Sequence, residues 1–247
     1  VKLIVYQSLR CPSEGLAEGY HGVRSVHDCG RPARISRCEK WRARPVRAEN
    51  LAMEDSMLKM NYWADKWDLD VEVCPCDKHI NEWIASKKLR NKLIYHFGTG
   101  THHLVGIEQA TNKSGNAVIA ITASKEEYDS YMQLSTERAQ VTKSYLAYFG
   151  DIYLTNPKFL PEFDVVSMVH LCEFFSENTA SKAYGGLTDE KLLDLFTAKT
   201  RPGGHILFYT GSMAWEAAEK VVAKWEKRRP VKRVGLFKTL LIYRKKR

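Results

Sequence analysis

The stretch LIYHFGTGTHHLVGIE, residues 93–108, decides how the rest of the chain is read. Lys92–Phe97 is a short apolar run of strand type, Gly98 ends it, and His102–Ala110 reads as the start of a helix. A strand followed at once by Gly98-Thr99-Gly100-Thr101 and a helix brings backbone close to whatever lies beyond the strand's carboxyl end. Glycine suits such a turn because a Cβ would strike the ligand or forbid the backbone conformation. This reading puts His102 and His103 in the first helical turn, where free N–H groups and the positive end of the helix dipole favour an anionic group. A Gly-x-Gly pair alone is common, so its meaning rests on the surrounding elements.

Those elements alternate. Ala117–Thr122 (AVIAIT) is a β-branched strand, and Ser124 with Glu127 three residues on has capping-box spacing for a helix over Lys125–Ser144. Tyr148–Leu154 and Asp164–Val169 read as strands, and Leu187–Thr200 is an amphipathic helix closed by Arg201-Pro202-Gly203-Gly204 before a strand from His205 to Tyr209. This βα alternation predicts a mostly parallel, doubly wound sheet with helices on both faces. After a helix over Met213–Arg228, Lys232–Gly235 and Phe237–Tyr243 follow too closely for a crossover, so the last strand is predicted to be antiparallel.

Upstream, residues 53–90 are expected to add helices to a domain spanning 53–247, with the core over 91–247. The spacing of Met53, Met57, Met60, Trp63 and Trp67 predicts a helix with one apolar face packed on the sheet, and a second is predicted over Asp77–Lys88, with Ile80, Trp83 and Ile84 on one side. Residues 1–52 differ in kind, with eight arginines to two lysines, scattered Gly and Pro, and no sustained period. They are expected to form an irregular Arg-rich extension. Since they hold no methionine, the extension is also expected to lie upstream of the natural start near Met53.

The formal charge of +9 sits largely at the ends. Residues 1–52 carry ten Lys and Arg against five Asp and Glu, and Arg244-Lys245-Lys246-Arg247 match the whole surplus of the remainder. Without a basic patch interleaved with aromatics, a nucleic-acid partner is not expected. No apolar run approaches the roughly 18 residues of a membrane span, so a cytoplasmic chain with reduced cysteines is expected. Cys74-Pro75-Cys76 with His79 lacks the four-ligand spacing of a structural zinc, so no metal is assigned.

In order along the chain, HFGTGTHH, VIAITASKEEY, FGDIYL, FDVVSMVHLCEFF, RPGGHILFY and GLFKTLLIYRKK resemble the successive motifs of class I S-adenosylmethionine (SAM)-dependent methyltransferases. The resemblance covers about Leu93 to Lys246 and implies a Rossmann-like fold with SAM as cofactor. It implies that Gly98, Thr99, Gly100 and Thr101 lie against the methionine part, Asp151 and Ile152 border the adenine, and His170 lies beneath the sulfonium. His96, and Thr122 with Ala123, stand where the family usually has carboxylates and their neighbours. Glu126 or Glu127 offers a substitute acid, although a solvated helix face is the commoner outcome for such residues.

The activity implied is methyl transfer to a small-molecule acceptor, for which positioning matters more than side-chain chemistry. If the acceptor is a hydroxyl, His102, His103 and His170 are the candidate bases. The second reading, motivated by His96 and Thr122, is a binding or assembly module that has lost or altered cofactor use. A nicotinamide-type site is disfavoured, because the third glycine of that fingerprint is His103 and no acid closes the second strand. Oligomeric state is not read from the sequence.

Overall fold

The computed structural model describes residues 66–174 and 186–247. The Arg-rich extension, most of the Met53–Trp67 helix expectation and residues 175–185 lie outside them.

Seven strands form one sheet: β1 (Leu93–Phe97), β2 (Ala117–Thr122), β3 (Tyr145–Phe149), β4 (Phe163–Ser167), β5 (Thr200–Tyr209), β6 (Val231–Phe237) and β7 (Leu240–Lys245). Their order is β3-β2-β1-β4-β5-β7-β6. The first five run parallel, whereas β7 pairs antiparallel with both β5 and β6. Between them lie α1 (Cys76–Ser86), α2 (Leu104–Thr111), α3 (Lys125–Glu137), α4 (Asp189–Lys199) and α5 (Trp215–Arg228).

Alternation of side chains along each strand builds two cores. Ile94 faces a layer that includes Ile80, Trp83 and Ile84 of α1, Val105 of α2 and Tyr131 of α3. Its neighbour Tyr95 faces the other layer, with Leu192 and Phe196 of α4 and Trp225 of α5. Both layers bury large side chains completely, Trp83 on one side and Trp225 on the other. This explains why β1, β2 and β4 read as continuous apolar runs rather than as alternating ones. Helix α2 lies close over β3 because Gly106 has no side chain; a Cβ there would fall 2.4 Å from the Tyr145 ring.

Four local expectations are corrected. The segment from Lys66 to Pro75 is not helical: Asp70 Oδ1 accepts from the N–H groups of Glu72 and Val73, and Asp70 O accepts from Cys74 N, so an aspartate turn displaces the helix. Trp67 is therefore off the sheet and 43% exposed. Helix α2 begins at Leu104 rather than His102, because His103 adopts a left-handed φ of 48° and His102 Nδ1 accepts from Leu104 N. Helix α3 ends at Glu137, and a short 3-10 turn over Val141–Lys143 leads into β3. Strand β3 ends at Phe149, since Asp151 accepts from Tyr153 N and starts a 3-10 turn over Ile152–Leu154. Among the described residues no helix is long and apolar enough to cross a membrane.

Candidate functional site

A cavity of about 590 Å³ opens beyond the carboxyl ends of β1, β2 and β4, where a doubly wound sheet leaves a crevice. Its floor is the glycine turn. Gly98 stands at φ +100° and Gly100 at φ +53°, conformations that side-chain-bearing residues rarely adopt. Both are also covered by histidine rings. A Cβ on Gly98 would fall 2.5 Å from His170 Cδ2, and one on Gly100 would fall 2.4 Å from His102 Nε2.

One wall is organised by Glu127. Ser124 caps α3 through the Glu127 N–H, as the capping-box spacing requires. The Glu127 side chain does not return to the Ser124 N–H, because Thr122 Oγ1 already accepts from it at 3.0 Å. Glu127 turns instead to the sheet, where Oε2 accepts from Thr122 Oγ1 at 2.6 Å and from Thr99 Oγ1 at 3.1 Å. Its Oε1 accepts from Trp67 N at 3.2 Å. A buried carboxylate thus stands at the end of β2, delivered by the following helix, and the solvated-face expectation for Glu127 is corrected. Thr101 ties down the same segment, donating from its N–H to Trp67 O at 2.8 Å and from its hydroxyl to Asp68 at 2.6 Å.

Beneath the turn lies a second buried carboxylate, Asp77, from the first turn of α1. Its Oδ1 is 3.4 Å from His96 Nε2, and its Oδ2 is 3.8 Å from His102 Nδ1. His96 Nδ1 meets Ser167 Oγ at 2.7 Å, so this histidine bridges α1 and β4. Burial pushes the Asp77 carboxyl upward, but the charge and hydrogen bond of His96 outweigh it and hold the group below its ordinary value.

The third group follows β4. His170 Nδ1 is 2.7 Å from Glu173 Oε2, and Glu173 Oε1 accepts from Ser212 Oγ at 2.5 Å. Burial works against a charged His170 ring, but the hydrogen bond and charge of Glu173 hold it above the ordinary histidine value. Glu173, in turn, is held below the carboxylate range despite its burial, first by the His170 hydrogen bond. With Nδ1 committed to Glu173, His170 Nε2 is the ring nitrogen turned to Gly98 and the cavity.

No protein-family model matches the chain, and no match was found among curated proteins. Solved structures are similar at low identity. A methyltransferase from Pyrococcus furiosus is 16% identical over 68% of this chain and 83% of its own, with a TM-score of 0.48. Magnesium protoporphyrin IX methyltransferase from Synechocystis PCC 6803, solved with bound SAM, is 11% identical over 69% and 78%, also at 0.48. The [4+2]-cyclase SpnF is 13% identical over 71% and 65%, at 0.46. The chain spans only 35% of the length of coclaurine N-methyltransferase. A mostly parallel sheet with an antiparallel last strand is the arrangement the ordered motifs implied, and the structure places that strand, β7, between β5 and β6. The fold is a doubly wound, Rossmann-like α/β fold with an antiparallel last strand.

On this fold the sequence-expected residues divide. Gly98, Thr99, Gly100, Thr122, Ala123, Asp151, Ile152 and His170 line the cavity, and so does His102. His96 and Thr101 do not, since one is buried under the turn and the other is tied to Trp67 and Asp68. His103 points away, with Nδ1 2.7 Å from the Tyr145 hydroxyl and Nε2 2.9 Å from Glu127 O. Burial lowers its pKa to about 4, so it is a neutral core residue and not a base at the cavity. Asp77 and Ser212 were missed, because each meets its partner only through the tertiary fold; the positioning of Glu173 was missed too, although its i,i+3 spacing from His170 was a local signal. Among the described residues no group of three or more His, Cys, Asp or Glu side chains is arranged to hold a metal ion.

Proposed function

We propose that the chain is a SAM-dependent methyltransferase acting on a small-molecule acceptor. The observation that carries this reading is the pairing of a left-handed glycine turn after β1 with a buried carboxylate, Glu127, at the end of β2. A nucleoside cofactor with an amino-acid tail needs both features: backbone that can be approached closely, and an acceptor for ribose hydroxyls. A cavity of about 590 Å³ is in the range of small-ligand sites. The residues present therefore fit the group, with the Gly98–Gly100 turn for the methionine part, Glu127 with Thr122 for the ribose, and Asp151 and Ile152 for the adenine edge.

Bound SAM supplies an already activated methyl on a sulfonium. What the chain contributes is positioning and water exclusion, and a proton acceptor where the acceptor atom is a hydroxyl. His170 Nε2 takes that proton, and Glu173 positions the ring and stabilises the imidazolium that results.

Titration calorimetry with S-adenosylhomocysteine and with SAM tests the reading. Micromolar binding is expected, weakened about tenfold in Glu127→Gln, which corresponds to about 1.4 kcal/mol. Absence of binding of both compounds at high micromolar concentration would overturn the enzyme reading and leave the fold as a binding module.

A further inference from the structure

Cys74-Pro75-Cys76 takes no part in the proposed chemistry, yet both cysteines line the cavity. Pro75 stands at φ −81°, ψ 10°, a compact conformation that folds the two flanking residues towards one another. Their Sγ atoms are 3.5 Å apart. The segment is held from both sides, by Cys74 N donating to Asp70 O at 2.8 Å and His79 N donating to Pro75 O at 2.9 Å. The pair is asymmetric. Cys74 is half-buried, whereas Cys76 is 5% exposed, with its sulfur 3.4 Å from Asp77 Oδ1.

We propose that Cys74 and Cys76 form a peroxide-reactive dithiol, in which the Cys74 sulfur attacks from the cavity side and Cys76 resolves the product to an intramolecular disulfide. In the first step the Cys74 thiolate attacks one oxygen of hydrogen peroxide, the O–O bond breaks, and a sulfenic acid and hydroxide result. In the second, the Cys76 sulfur displaces the sulfenic oxygen, which leaves as water with the Cys76 proton. The dithiol loses two electrons and two protons, and the peroxide is reduced to two molecules of water.

The surroundings suit these roles. The hydrogen bond from Cys76 lowers the Cys74 thiol to about 6 against the effect of its burial, and the His170 ring adds to the lowering. Cys76 is pushed well above the ordinary thiol value by Cys74, by burial and by Asp77, so it keeps its proton until the second step. The site would be redox-sensitive whatever occupies the cavity, so the inference stands apart from the methyl-transfer reading.

The full chain, reduced and desalted, is exposed to hydrogen peroxide, alkylated without reductant and digested with trypsin. Lys66 and Lys78 bracket both cysteines, so one peptide, Trp67–Lys78, reports the pair. The expected result is that this peptide resists alkylation and has lost two hydrogens. Cys76→Ser is expected to stop at a sulfenic acid that dimedone traps on Cys74, and Cys74→Ser to slow oxidation of the peptide by about tenfold or more. A peptide alkylated at both cysteines after peroxide exposure overturns the proposal, as does Cys74 sulfinic acid beside an alkylatable Cys76. If either variant fails to fold, the wild-type peptide alone still separates these outcomes.

Discussion

At the residue scale, two histidines in similar surroundings titrate in opposite directions, and each gives a prediction. His103 lies between the Tyr145 hydroxyl and the Glu127 carbonyl, and burial depresses it to about 4. Below its unfolded value of about 6.5 the unfolded chain binds the extra proton and the folded chain does not. This residue therefore withdraws stability as pH falls from about 6.5 towards 4, by up to about 3 kcal/mol. Urea denaturation between those pH values should show a shallower loss in His103→Gln than in the native chain; an unchanged slope would contradict the assignment. His170 behaves in the reverse sense. Its raised folded value means that the stability contributed by the Glu173 contact is present at low pH and is lost as pH rises through that value. Proton NMR of Glu173→Gln should place the His170 titration lower than in the native chain, and an unmoved titration would remove Glu173 from the positioning role.

At the element scale, the turn between β1 and α2 shows where local sequence signals stop. Gly98 and Gly100 were legible because the left-handed backbone they supply has few other sources. The helix start was misplaced by two residues, since His103 takes a left-handed conformation that histidine seldom adopts and only its buried partners hold it there. Likewise, the capping-box spacing of Ser124 and Glu127 correctly placed the start of α3 but not the destination of the glutamate, which Thr122 and Thr99 set from other elements. Gly106 offers a test of how tightly the elements meet. Gly106→Ala drives a methyl into the Tyr145 ring, and α2 must lift from β3. A loss of about 1–3 kcal/mol is expected in chemical denaturation, and a neutral or stabilising change would mean that α2 packs more loosely than described.

At the scale of the molecule, the mostly parallel, doubly wound sheet was legible because α/β alternation permits few topologies, and the antiparallel end followed from the short link between β6 and β7, whereas the order of the strands came only from the structure. The candidate site was legible at the glycine turn and, through the ordered motifs, at Thr122, Asp151, Ile152 and His170, which also line the cavity. Asp77 and Ser212 come to the cavity from α1 and from the stretch after β5, far in sequence from the turn they serve, and no spacing rule connects them. The central proposal is therefore that the glycine turn, Glu127 and His170 converge on one ligand in this cavity. A crystal structure of the chain soaked with S-adenosylhomocysteine tests this most directly. The prediction is density for the ligand above Gly98–Gly100, with its ribose hydroxyls within hydrogen-bond reach of Glu127 or Thr122. Density elsewhere on the surface, or an empty cavity at saturating ligand, would contradict it.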